Sequence, residues 1–220
     1  MNADFLPVKG TDHVEMYVGN AKQAALFYQH CMGFECVAYA GPETGLRDRC
    51  SYVLQQNKIR LVLTTSLLKD TEIAEHVKKH GDGVKVLALW VDDARQSFTE
   101  TISRGAEVAM EPSVLKDEFG EVIVASIKTY GETIHTFVER TNYSGIFLPG
   151  YQKHKSTLHI EPIGLQYIDH CVGNVELGQM NRWVDFYERV MGFKLLVTFD
   201  DADISTEYSA LMSKVVSSGN

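Results

Sequence analysis

The chain writes one pattern twice. An Asp-His pair, a Phe-Tyr pair and a Met-Gly-Phe turn occur as Asp12-His13, Phe27-Tyr28 and Met32-Gly33-Phe34, and again as Asp169-His170, Phe186-Tyr187 and Met191-Gly192-Phe193. His13 lies 19 residues before Met32, and His170 lies 21 residues before Met191. An internal repeat constrains the fold more than any single residue, because each copy must build the same small unit. Only 50 residues follow His170, so the second copy is expected to be an incomplete unit.

Local patterns say what that unit is. Thr11–Val18 alternates as a strand, and Asn20 is placed to cap a helix. Ala24, Phe27, Tyr28 and Cys31 fall at helical spacing, and Gly33 ends the helix. Strands are expected at Glu35–Tyr39, Cys50–Gln55 and Ile59–Thr64, giving a β-α-β-β-β unit. Leu67–His80 reads as a helical connection. A further unit starts at Gly83, with a strand at Val84–Val91 and a helix capped by Asp92 or Asp93 that Gly105 stops. Phe98 and Ile102 share a face of that helix. Val122–Lys128 and Thr133–Glu139 form a hairpin about Tyr130-Gly131-Glu132. Glu111-Pro112 and Asp117-Glu118 read as solvated loop, and Asn142–Leu165 as irregular connection.

In the last part, Ile168, His170 and Val172 would share one face of a first strand beginning at Gln166. A helix follows with Met180, Trp183, Val184, Tyr187 and Met191 on a stripe, then strands at Lys194–Phe199 and Ser205–Ser217. Paired units, each with a helix against its strands, define an α+β fold.

Composition excludes several classes of function. The net charge of −8 comes with no basic stripe, so neither nucleic acid nor an anionic membrane is an expected partner. No run approaches the roughly 18 apolar residues of a membrane span. Cys31, Cys36, Cys50 and Cys171 form no disulfide framework, and reduced thiols predict a cytoplasmic protein.

Five stretches carry a resemblance that covers the whole chain. They are Val18-Gly19-Asn20-Ala21-Lys22-Gln23-Ala24-Ala25, Lys79-His80-Gly81-Asp82-Gly83-Val84, Phe147-Leu148-Pro149-Gly150-Tyr151, Ile168-Asp169-His170-Cys171-Val172-Gly173-Asn174 and Thr206-Glu207-Tyr208-Ser209-Ala210-Leu211. In this order they resemble the N-terminal part of the 4-hydroxyphenylpyruvate dioxygenase family. That family has the vicinal-oxygen-chelate fold (glyoxalase/bleomycin-resistance-like), built of paired β-α-β-β-β modules. The resemblance implies an N-terminal non-catalytic domain of two modules over residues 1–145 and an interdomain connection over 146–164. Residues 165–220 would then be the first, incomplete module of a truncated C-terminal catalytic domain.

The resemblance also implies a chemistry. The family converts 4-hydroxyphenylpyruvate and O2 to homogentisate and CO2 in tyrosine catabolism, with Fe(II) held by two histidines and a glutamate. Such a set leaves positions open for a bidentate 2-oxo acid and O2. His170 matches the first histidine ligand, Ser209 a serine near the substrate and Val172 a pocket-lining position. The other two ligands match nothing in this sequence, so the 220 residues alone are expected to be inactive. An unpaired sheet edge predicts homo-oligomers. Two alternatives stay open: hydroxymandelate synthase, which oxidises the side chain of the same substrate, and a non-catalytic binding or scaffold protein of the same fold.

The first two modules resemble a retired copy of that site. His13 takes the first ligand's place, Glu139 is read in the place of the carboxylate, and Val86 stands where the family's catalytic half has a ligand histidine; metal is not expected there. His76 and His80 are spaced i, i+4, which suits a metal if both lie on one helix. No third ligand is evident near them in sequence, and favourable contact with a helix C-terminus accounts for both.

Overall fold

The computed structural model describes residues 4–154, 156, 158–199 and 212–219. The first unit runs β1 (Val8–Tyr17), α1 (Ala21–Met32), β2 (Glu35–Ala40), β3 (Arg49–Gln56) and β4 (Ile59–Ser66). After α2 (Glu72–His80), the second runs β5 (Gly83–Val91), α3 (Ala94–Ser103), β6 (Val108–Asp117), β7 (Gly120–Lys128) and β8 (Ile134–Glu139). A two-residue strand β9 (Gln152–Lys153), α4 (Met180–Met191), β10 (Lys194–Phe199) and β11 (Ser213–Ser217) follow.

The two units repeat one pairing scheme. In each, the first strand pairs parallel with the last: β1 with β4, and β5 with β8. Antiparallel pairing of β1 with β5 joins the units into a nine-stranded sheet of order β6-β7-β8-β5-β1-β4-β3-β2-β9. This is the paired β-α-β-β-β architecture of the glyoxalase-like fold.

Caps fix the helix ends. The side chains of Asn20, Thr71 and Asp93 accept backbone N–H bonds at the starts of α1, α2 and α3. Gly33 ends α1 at φ 69°, a conformation that favours glycine, and a Cβ there would lie 2.7 Å from the Glu161 carbonyl oxygen.

Alternation divides the sheet into two faces. Leu89, Val91, Ala125, Ile127 and Phe137 pack with Ala94 and Phe98 of α3, while Leu54 and Leu63 pack with Ala21 and Ala25 of α1. The opposite face carries Val86, Ala88, Val122, Val124 and Val138 in one half and Ala38, Val53 and Val62 in the other. Phe147, Leu148 and Tyr151 from the chain after β8 cover that inner face, and Phe147 is fully buried.

Four local expectations are corrected. The connection Leu67–His80 is helical only from Glu72, because Thr71 caps it there. The buried positions of α1 are Ala21, Ala25 and Gln29, while Phe27 and Cys31 lie exposed. The stretch with Glu111-Pro112 is an edge strand, β6, whose register slips between Met110 and Ser113; proline tolerates an edge, where its missing N–H costs no ladder bond. Residues 166–176 form no strand. In the first two units the opening strand lies between its own last strand and the neighbouring unit's opening strand. Neither neighbour exists for residues 166–176 among the described residues, so nothing completes a ladder.

The third copy instead docks through its helix. Val190 and Met191 of α4 are fully buried in the core beneath α3, together with Leu6 and Val8. Such burial stabilises by about 1.5–3 kcal/mol per side chain. The hairpin of β10 and β11 forms a separate two-stranded sheet.

Candidate functional site

The two Asp-His pairs keep the same internal geometry in different surroundings. Asp169 Oδ2 lies 2.7 Å from His170 Nδ1, and Asp12 Oδ1 lies 2.7 Å from His13 Nδ1. A carboxylate only accepts, so each Nδ1 carries a proton, and in the neutral ring the lone pair is then on Nε2. This is the second-contact pattern that prepares a histidine as a metal ligand.

His170 stands in the unpaired segment, with its side chain 71% exposed. Val172 is 78% exposed. The segment is held at both ends. The Gln56 side chain accepts N–H bonds from Gly164 and Leu165, and Lys58 N–H donates to Gln166 O. Farther on, Gly173 lies against the ring of Tyr130, where an added Cβ would come within 2.2 Å of it. A larger residue there would have to displace the Tyr130 ring. His170 fits iron as one imidazole donor with its tautomer set by Asp169. Among the described residues it belongs to no group of three or more His, Cys, Asp or Glu side chains that could share an ion. Ser209 lies outside the described residues.

His13 is buried. Its ring packs edge-on against Phe147 with centroids 5.1 Å apart. Asp12 is the extra residue of a bulge against β5, between Thr11 and His13. The guanidinium of Arg140 grips it with bonds of 2.6 and 2.8 Å, and Arg140 also donates to the Phe147 carbonyl at 2.6 Å. Burial raises the Asp12 carboxyl pKa, but the bonds from His13 and Arg140 outweigh it and hold the group well below the usual range.

The reading of Glu139 as the matching carboxylate is corrected. Its carboxylate accepts from Ala94 N–H at 3.1 Å, at the start of α3 on the helix face of the sheet. His13 is paired in register with Ala88 on the inner face. Alternation along β8 places Ile134 and Val138 inward and Glu139 outward, so the two groups do not converge. Val86 is buried core.

A different set converges that the sequence left apart. His76 and His80 lie one turn apart on α2, and Glu132 comes from the turn between β7 and β8. Glu132 Oε2 is 2.8 Å from His80 Nε2. No local signal links residues 52 positions apart in the chain; only the pairing of β5 with β8 brings that turn to the end of α2.

The model of the Glyoxalase/Bleomycin resistance protein/Dioxygenase superfamily matches residues 10–126. A 4-hydroxyphenylpyruvate dioxygenase of Coccidioides posadasii is 42% identical over 99% of this chain and 59% of its own length. One of Yarrowia lipolytica is 44% identical over 96% of this chain and 56% of its own. The chain therefore spans somewhat over half the length of these curated relatives. Among solved structures, a mutant of 4-hydroxymandelate synthase from Streptomyces coelicolor superposes with a TM-score of 0.80 at 26% identity, over 96% of this chain and 60% of that one. Methylmalonyl-CoA epimerase from Mycobacterium tuberculosis, 20% identical with a TM-score of 0.50 over 63% of this chain and 91% of that one, shares the fold alone.

Proposed function

This chain belongs to the Glyoxalase/Bleomycin resistance protein/Dioxygenase superfamily, and from that premise we propose that it is part of an Fe(II)-dependent 4-hydroxyphenylpyruvate dioxygenase of tyrosine catabolism. The observation that carries the reading is identity of 42–44% with relatives bearing that name over nearly the whole chain. The complete protein would convert 4-hydroxyphenylpyruvate and O2 to homogentisate and CO2 in the cytoplasm. Fe(II), held in that protein, would supply the redox chemistry for activating O2.

The roles of the residues follow from their surroundings. His170 gives the metal one imidazole nitrogen, and Asp169 fixes its tautomer and direction. Val172 forms part of the substrate wall, and Ser209 is assigned a place near the substrate. Val172 is exposed, and the rest of the catalytic domain would supply two further ligands and the walls that exclude water. The first two modules serve as scaffold: Phe147 fills the inner face beside His13, and Asp12 is committed to Arg140. The complete protein is expected to be a homo-oligomer.

A second reading, hydroxymandelate synthase, is favoured by the structural similarity to that enzyme. Product analysis separates the two. A chain extended to the length of the relatives, given 4-hydroxyphenylpyruvate, Fe(II) and O2, should form homogentisate. Hydroxymandelate as the product would establish the second reading, and no O2 consumption would remove both.

A further inference from the structure

We propose that His76, His80 and Glu132 form a binding site for a divalent transition-metal ion of the zinc class, clamping the end of α2 to the β7–β8 turn. The site is separate from the iron site assigned to His170.

Geometry supports it first. One ligand atom from each of the three side chains lies within 4.8 Å of the others. The i, i+4 spacing on one helix puts the two rings on the same face, with centroids 4.8 Å apart. Donors in a tetrahedral shell with bonds of about 2.0–2.2 Å sit a little over 3 Å apart. Small side-chain rotations therefore close the set around an ion, with water in the remaining position. Two imidazoles and a carboxylate suit zinc and its borderline neighbours better than calcium or magnesium, which prefer oxygen donors.

His76 gives the independent reason. Its residue is 6% exposed, and neither ring nitrogen has a hydrogen-bond partner among the described residues. A buried imidazole with both nitrogens unmatched costs stability. The ring already rests against Tyr17, so it is held in place. Burial, with His80 and Lys85 next in effect, lowers its pKa below the usual imidazole value.

The surrounding charges decide what binding must displace. Glu132 is paired with both Lys79 and His80, which hold its carboxyl at about 2. Lys79 is exposed and can release Glu132 into solvent at little cost. Lys85 is occupied by the Glu132 carbonyl and by Glu72, so its charge is partly answered nearby. The C-terminal end of α2 adds negative potential that favours a cation.

The test is equilibrium dialysis of the 220-residue chain against Zn2+, with zinc X-ray absorption on the loaded protein. His170→Ala separates this site from the proposed iron site. One Zn2+ per chain is expected, with two imidazoles in its shell, retained in His170→Ala and lost in both His80→Gln and Glu132→Gln. These two replace exposed side chains, so they keep the test open if the buried variant His76→Ala does not fold. The wild type should also melt at a higher temperature with Zn2+, and His80→Gln should not. No stoichiometric Zn2+ in the wild type, or equal binding by His80→Gln and Glu132→Gln, would overturn the proposal. Loss in His170→Ala alone would move the zinc to the other site and would equally overturn it.

Discussion

His135, in the middle of the sheet, and Tyr187, on the docked helix α4, meet with the imidazole Nε2 2.9 Å from the phenol oxygen. The other ring nitrogen lies 3.2 Å from the Leu87 carbonyl, which only accepts, so Nδ1 carries the proton and Tyr187 donates to Nε2. The bond ties the third copy of the motif to the second unit. Tyr187→Phe leaves Nε2 buried and unpaired, and should cost about 1–3 kcal/mol of stability in urea denaturation.

The same histidine makes stability depend on pH. Burial pushes the His135 pKa down to about 4 in the folded chain, whereas an unfolded histidine titrates near 6.5. The unfolded state then takes up the proton first as pH falls. Stability from this group is intact above about pH 6.5 and declines from there toward pH 4, by about 1.4 kcal/mol per unit where only the unfolded state is protonated. His135→Gln should flatten that slope. Thermal melts between pH 7 and 4.5 measure it, and an unchanged slope would contradict the assignment.

The Asp12–Arg140 pair joins residues 128 positions apart in sequence, and the carboxylate side chain is 1% exposed. Arg140→Leu leaves that buried carboxylate with His13 and the more distant Arg60 alone and should destabilise by about 3 kcal/mol, whereas the double variant Asp12→Leu/Arg140→Leu should recover much of the loss. The depressed Asp12 pKa gives stability present above about pH 4, the unfolded value, and lost as pH falls through the folded one. Chemical denaturation of the two variants beside the wild type decides whether the pair or the packing matters more.

Phe147 seals the inner face beside His13. Phe147→Ala should cost about 3–5 kcal/mol through the cavity it leaves. Phe147→Leu should cost clearly less. Equal losses would mean that the ring's edge contact with His13, rather than its volume, holds the segment.

All six residues of β10 are exposed, and its only partner strand among the described residues is β11. A lone two-stranded hairpin is marginal in water. Amides of β10 should therefore exchange hydrogen far faster than those of β5 and β8, which are paired on both sides. Comparable protection would show that another surface, such as a second copy of the chain, covers the hairpin.

The fold was legible where chemistry is local. Asn20 and Asp93 announce their caps and Gly33 its helix end, and the repeated Asp-His and Met-Gly-Phe motifs reveal the repeating unit. It was less legible where a partner decides. Gln166 onward has the alternation of a strand and forms none, since alternation sets faces but cannot supply a neighbour. Phe27 fits a helical stripe by spacing, yet the buried line runs through Ala21, Ala25 and Gln29. For the same reason Glu139, plausible from its place near the end of a strand, lies on the helix face. Glu132 could not be matched to His76 and His80 at all, because that meeting depends on the register of β5 with β8.

If His170 is an iron ligand in the complete enzyme, loss of its imidazole should remove iron and turnover together. Oxygen consumption with 4-hydroxyphenylpyruvate is followed in the extended chain and in its His170→Ala variant, with iron content and circular dichroism recorded on both. His170→Ala should abolish turnover and iron retention while the fold is unchanged, and the 220-residue chain alone should be inactive. Turnover retained by His170→Ala would contradict the assignment of His170.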